Sequence, residues 1–416
     1  MATVLFCPIT FNLAEVTRMI EVARALDQRH RAIFMGYEDD FVALIHDAGF
    51  EYRPSAPAMS PAERAQALRF DQGKTLRSPF TDDLVAARVA AERALIRTTG
   101  AAAVVIGTNP TSMISARAER VPLIYPVPFA LTRPQVEQTS RLGLVRGSGP
   151  LAHGLDRVAT RLMRWAYSHA PLAPRAFARV ARANGVAPLK TVVSLLEADR
   201  NLLTVMAWEL EGYRLPAGYE RVGPIFAHLG GELPPIVAEL AAREEPLVYL
   251  GLGSSASREL VLGVAAQLGT LPVNVIAPVR HYLQPDDTLP ANVHVTDLLP
   301  AHLLGGVVDA AVLHGGQGTV QTACATGIPF VGIGLQPEQV WNVDVCVARG
   351  NAMALSPRHA TTPALVDALR RVLAEPAFGA AAQRVRQAFA AEDGAAAAAR
   401  IVEAEIGDEV DSDASA

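Results

Sequence analysis

A strand that is apolar on both faces restricts a fold strongly, because only a parallel sheet covered by helices on each side buries it fully. Ala310-Ala311-Val312-Leu313 is such a strand, four apolar residues with no polar alternation. The run His314-Gly315-Gly316-Gln317-Gly318-Thr319 follows directly. From Thr319 to Ala325 the chain reads as one or two helical turns, with Gly327 as the C-cap and Pro329 just beyond. Strand, glycine-rich turn and helix together form the repeating unit of a doubly wound α/β sheet. The glycines allow a tight turn and let backbone N–H groups approach a ligand with no Cβ between. Those N–H groups, the Thr319 hydroxyl and the positive end of the helix converge on one place, which suits an anion such as a diphosphate. His314 adds a hydrogen bond there, or a charge when protonated. A ligand-free tight connection would carry the same glycines, so the surrounding sequence has to decide between the two.

The same alternation runs through both halves. In the first, strands are expected at Val4–Cys7, Ala32–Met35, Ala103–Ile106 and Leu123–Tyr125. An amphipathic helix carries Val16, Met19, Ile20, Ala23 and Leu26, and a second helix covers Ser112–Glu119. Residues 52–90 and 131–174 read as polar, irregular insertions beside the strand ends. The second half opens with Leu247–Leu250 and the loop Gly251-Leu252-Gly253-Ser254-Ser255, then a helix over Glu259–Leu268. Further strands fall at Asn274–Ala277, His294–Val295, Ala310–Leu313 and Phe330–Ile333. A chain of 416 residues exceeds one core. Turn chemistry at Leu215-Pro216-Ala217-Gly218 and Leu233-Pro234-Pro235 marks the join. The expected architecture is α/β: two doubly wound Rossmann-like domains facing across a cleft, over residues 1–220 and 221–390. Residues 391–416 would form a C-terminal helix and an acidic tail, disordered from Glu403 onward.

Composition excludes several classes. A net charge of −5 gives no electrostatic case for a nucleic-acid partner. No apolar run is long enough to span a bilayer, and Met1–Cys7 lacks the basic start of a signal peptide. Cys7, Cys324 and Cys346 show no CxxC and no pairing pattern, which fits a reducing cytoplasm and argues against structural zinc. No metal-ligand cluster is visible, so no metal site is expected.

Three more features line up with the His314–Thr319 loop. Gly253-Ser254-Ser255 follows a strand and offers N–H and hydroxyl donors to a phosphate. Asp297-Leu298-Leu299-Pro300 is a short apolar segment able to lie along a flat base. In Gln336-Pro337-Glu338-Gln339 a carboxylate beside a carboxamide suits neighbouring sugar hydroxyls, although an acid in a helix first turn is also favoured by the dipole alone. In this order and spacing the second half resembles the donor half of family 1 glycosyltransferases of the two-domain GT-B fold, bacterial natural-product enzymes above all. The resemblance implies that His314, Gly316, Gln317, Gly318 and Thr319 hold the nucleotide diphosphate, with Ser254 and Ser255 beside them. It implies that Glu338 and Gln339 hold the donor sugar and that Leu298 and Leu299 flank the base, where the family often has Trp.

The first half departs from that family, which places a catalytic His after the first strand and an Asp after a later one. Here Glu15 stands at the His position, and Gly107-Thr108-Asn109-Pro110 carries no carboxylate. Glu15 is the candidate general base, helped in that role only if burial raises its pKa. Asn12-Leu13-Ala14-Glu15 also has capping-box spacing, with Asn12 as N-cap and Glu15 at N3. Other acids (Asp71, Asp82) or an acidic acceptor are alternatives.

From Leu155 to Trp165, Leu155, Val158, Leu162 and Trp165 share one helical face while Arg157, Arg161 and Arg164 share another, with Arg133, Arg141 and Arg146 nearby. The expectation is a packed apolar face under a solvated basic one, with a site for an anionic acceptor or weak membrane-surface contact as the alternative. The function expected is an inverting, metal-independent glycosyltransferase. It would need no cofactor and would move a sugar from a UDP- or dTDP-sugar to a small-molecule acceptor. A catalytically silent nucleotide-sugar-binding partner of another enzyme is the second reading, and a sugar-nucleotide epimerase the third.

Overall fold

The structure is a computed structural model and describes residues 1–71, 75, 77–130, 132–140, 142, 144–145, 149–253 and 256–413. It divides into two compact units. One takes Met1–Gly223 together with the helix Gly394–Asp413; the other takes Pro224–Asp393.

The first unit contains β1 (Thr3–Cys7), β2 (Arg31–Gly36), β3 (Glu51–Pro54), β4 (Ala101–Ile106), β5 (Leu123–Val127), β6 (Arg200–Leu203) and β7 (Tyr219–Arg221). They form a sheet in the order β3-β2-β1-β4-β5-β6-β7, with all neighbours parallel. The second contains β8 (Leu247–Gly251), β9 (Asn274–Ala277), β10 (Val293–Val295), β11 (Ala310–Leu313), β12 (Phe330–Gly332) and β13 (Ala352–Ala354). Its order is β10-β9-β8-β11-β12-β13, again parallel throughout. The central strands are buried on both faces, as their unbroken apolar runs require. In each sheet the strand order reverses at one place, between β1 and β4 and between β8 and β11. Loops leaving adjacent strands there diverge to opposite faces and open a crevice at the strand carboxyl ends.

The cores differ in composition. Phe6 and Phe34 stack with ring centroids 5.0 Å apart in the first unit. The second is filled by branched aliphatic side chains such as Val248, Leu250, Val264, Val275 and Val312.

Three sequence expectations are corrected here. Residues 52–90 are not mainly loop. They hold β3 and the helices Pro61–Asp71 and Asp82–Thr99. The longer helix begins at the Thr81 cap, where Oγ1 accepts from Leu84 N at 3.2 Å, and ends at Gly100 in the left-handed region. Its inward face mixes Val85, Val89 and Ile96 with buried Arg88 and Glu92, so apolar periodicity alone understates it. The irregular stretch expected over 131–174 contains the 20-residue helix Pro150–His169. The acidic segment from Glu403 is helical as far as Asp413 rather than disordered. Ala398, Ala399, Val402 and Ile406 form a buried face on the first unit, Glu403 accepts from Asp27 N at 2.8 Å, and Glu405 pairs with Arg200 at 2.7 Å.

Candidate active site

At the second unit's reversal point, β11 delivers His314 into the loop and the helix Gln317–Thr326 starts immediately after it. Its N-cap is Gly316, with no side-chain cap, and the first intrahelical bond runs from Val320 N to Gly316 O at 3.0 Å. The N–H groups of Gln317, Gly318 and Thr319 therefore precede the intrahelical ladder, and the helix dipole adds positive potential at the same end.

His314 is buried, and its Nδ1–H donates to the Gly251 carbonyl at 3.1 Å. That bond fixes the tautomer, leaving Nε2 as the basic nitrogen. Burial holds the imidazole below its ordinary pKa, partly opposed by the Gly251 bond, so the ring is neutral near pH 7. The ring is clasped between two glycines. A Cβ at Gly253 would stand 2.5 Å from His314 Cε1, and one at Gly316 would stand 2.4 Å from Nε2. Gly315 has φ +84°, and a Cβ there would meet the Gln339 carbonyl at 2.7 Å.

The sugar-binding candidates sit on the neighbouring helix Pro337–Arg349. Glu338 is half-buried, and its Oε1 accepts from Asn342 Nδ2 at 2.6 Å. The same Nδ2 donates to the Gly315 carbonyl at 2.9 Å, which ties this helix to the His314 loop. Gln339 is buried, with Oε1 accepting from Leu335 N at 3.0 Å. Leu298 and Leu299 separate: Leu299 is core, and only Leu298, about half exposed, offers a surface to a base. The buried hydroxyl of adjacent Thr296 has no partner among the described residues. Ser254 and Ser255 lie outside the described residues. Among those described, no group of three His, Cys, Asp or Glu is placed to hold a metal ion.

The first unit's reversal point gathers Glu15, after β1, and Thr108, after β4. Asn12 caps the helix Leu13–Ala25 through Ala14 N, as the sequence suggests. Glu15, however, does not return to the backbone of Asn12. Its Oε2 accepts from Ile9 N and Thr108 N, each at 3.1 Å, and Oε1 accepts from Asn12 Nδ2 at 3.3 Å and Thr108 Oγ1 at 2.5 Å. A carboxylate has about four acceptor sites, and all are filled. Gly107 permits this, since a Cβ there would fall 1.8 Å from Oε2. Desolvation raises the Glu15 pKa, opposed by the Thr108 and Ile9 bonds and by Arg18. Glu15 is only 5% exposed as a residue, and Thr108, which donates to it, is itself exposed.

Behind Thr108, buried Glu92 accepts from Tyr37 Oη at 2.5 Å, from Asn109 Nδ2 at 3.3 Å, and from the Thr111 and Ser115 hydroxyls, and so anchors the loop. Of the alternative acids, Asp82 pairs with Arg179 at 2.5 Å on the surface, and the Asp71 side chain is not among those described. Thr108 and Asn342 were missed from sequence. Asn342 lies one helical turn after Glu338, a spacing that is visible in the chain, whereas the approach of Thr108 to Glu15 is purely tertiary.

Residues 263–404 match the family described as erythromycin biosynthesis protein CIII-like, C-terminal domain. A PGL/p-HBAD biosynthesis glycosyltransferase of Mycobacterium tuberculosis (strain ATCC 25177 / H37Ra) is 27% identical over 391 residues, covering 93% of this chain and 88% of the relative. Among solved structures, the glycosyltransferase VinC in complex with dTDP superposes with a TM-score of 0.70 at 20% identity, covering 97% of this chain and 99% of its own. The spinosyn rhamnosyltransferase SpnG complexed with spinosyn aglycone gives a TM-score of 0.67 at 18% identity, covering 96% and 99%. The chain has the GT-B fold of these glycosyltransferases, and its residues 263–404 match the EryCIII-like C-terminal domain.

Proposed function

We propose that this protein transfers a sugar, with inversion, from a dTDP- or UDP-sugar to a small-molecule hydroxyl acceptor. The observation that carries the reading is the uncapped helix start at Gly316, clasped with neutral His314 at the β8/β11 reversal. A diphosphate bound there accepts from the loop N–H groups and the Thr319 hydroxyl. The same groups stabilise the charge that builds on it as the C1–O bond breaks. The dTDP complex of VinC supports a thymidine diphosphate donor, and the aglycone complex of SpnG supports a small-molecule acceptor. Glu338 and Gln339 are assigned to the donor sugar.

Acceptor deprotonation is assigned to Glu15 acting through Thr108. The acceptor O–H gives its proton to Thr108 Oγ1 as its oxygen bonds the anomeric carbon, and Thr108 passes its own proton to Glu15 Oε1 along the 2.5 Å bond. The diphosphate leaves with the electron pair of the broken bond, and Glu15 later releases the proton to water. A base works best with a pKa near the working pH, and desolvation moves Glu15 in that direction.

The test offers purified protein UDP- and dTDP-sugars with an acceptor pool, following diphosphate release and product mass. Turnover should fall about 10²- to 10⁴-fold in Thr108→Val, the usual contribution of general acid–base groups, and recover in Thr108→Ser with donor affinity unchanged. Turnover should also fail on acidification above the ordinary carboxylate range, because a raised pKa protonates Glu15 early. Full activity of Thr108→Val rejects the relay. Donor-induced thermal stabilisation with no turnover on any acceptor favours the silent-partner reading, which draws on the missing His and on the saturated Glu15 carboxylate.

A further inference from the structure

We infer that the exposed face of the helix Pro150–His169 docks on an anionic lipid surface. The usual amphipathic arrangement is inverted in this helix. Leu151, Leu155, Val158, Leu162 and Trp165 recur at intervals of four and three residues, yet each is more than half exposed, Leu151 reaching 78% and Leu162 65%. The buried face is polar instead. Asp156 and Thr160 are fully enclosed, with Asp156 Oδ1 accepting from Val145 N at 2.9 Å and Thr160 Oγ1 from Leu142 N at 3.0 Å. Backbone donors in the preceding segment need partners, and this helix supplies them from the side that would otherwise face water. The apolar side chains are left outward as a contiguous stripe, and such stripes mark interaction surfaces.

Charge selects the occupant. The exposed charges on the helix are Arg157 and Arg161, Arg164 is half-buried, and none of the three forms an ion pair with a described residue. The helix's one acid, Asp156, is buried, and of the carboxylates at its far end Glu137 accepts from the Ser168 hydroxyl at 2.6 Å and Glu197 pairs with Arg133 at 2.6 Å. A second copy docking about a two-fold axis would set arginine rows against each other with no acid from the helix between them. An anionic bilayer takes both parts: leucines and Trp165 enter the acyl boundary while the guanidinium groups meet lipid phosphates.

The full chain would be sedimented with vesicles of phosphatidylcholine alone and of an equimolar phosphatidylcholine–phosphatidylglycerol mixture, with its mass followed by light scattering. Binding is expected to the mixed vesicles only, weakened by salt, with a blue shift of Trp165 emission that is absent in Trp165→Phe. Leu155→Glu/Leu162→Glu should abolish it, and Arg157→Gln/Arg161→Gln should weaken it roughly thirtyfold, from about 1 kcal/mol per basic residue near such a surface. All four positions are exposed, and unchanged thermal unfolding in each variant verifies the fold. No binding to the mixed vesicles overturns the proposal. So does a dimer that Leu155→Glu/Leu162→Glu splits into monomers, which would give the face to a second copy. Neither outcome bears on sugar transfer, which is read by diphosphate release.

Discussion

At residue scale the most consequential side chain is His314, because its protonation is set by what surrounds it. The Gly251 carbonyl holds Nδ1–H, and burial keeps the ring neutral. Nε2 can donate to a phosphate only after taking up a proton, and a bound diphosphate would favour the imidazolium. Diphosphate binding should therefore consume protons and weaken as pH rises. Calorimetry of dTDP binding in buffers of different ionisation enthalpy measures this, and His314→Gln should remove the pH dependence. Binding with no proton uptake in the natural protein would leave His314 as packing between Gly253 and Gly316. The glycine-rich motif and His314 were legible in sequence; the tautomer was not, because it depends on a carbonyl 63 residues away. Glu15 shows the same division. Its helix-start position was readable, but the approach of Thr108 and Gly107 across 93 residues turns a cap into a saturated, buried carboxylate.

At element scale, the neighbouring helix Pro337–Arg349 holds the His314 loop as much as its own glycines do. Asn342 joins the Gly315 carbonyl to the Glu338 carboxylate, so one amide fixes the loop and aims the acid. Asn342→Leu keeps a similar volume and removes both bonds. It should cost about 1–3 kcal/mol of stability, the usual penalty for orphaning buried partners. It should also weaken donor binding more than the acceptor dependence of turnover. Equal donor KM in the variant would show that the loop holds itself. The helix Pro150–His169 carries the complementary lesson. Its apolar spacing was correctly read as helical, but the direction it faces was read the opposite way. A hydrophobic stripe identifies a face without saying what covers it, and here buried Asp156 and Thr160 decided the orientation.

At the scale of the whole molecule, the chain's last helix returns to the first unit, so that unit is built from both ends of the sequence. Removing residues 394–416 would strip Val402 and Ile406 from their packing, at roughly 1.5–3 kcal/mol for each large apolar side chain. Thermal unfolding should show a lowered transition for the first unit while dTDP still stabilises the second. An unchanged first transition would make the helix an accessory. Sequence by itself determined the parallel sheets, because strands apolar on both faces have no other stable environment, and it determined the glycine-rich strand–loop–helix turn at His314–Thr319, because glycine, hydroxyl and helix start are contiguous. Tertiary structure alone decided the Thr108–Glu15 pair, the protonation of His314 and the outward face of Pro150–His169. The first two rest on groups far apart in the chain and the third on hydrogen bonds to a segment 11 and 18 residues earlier, and no local periodicity encodes any of these meetings.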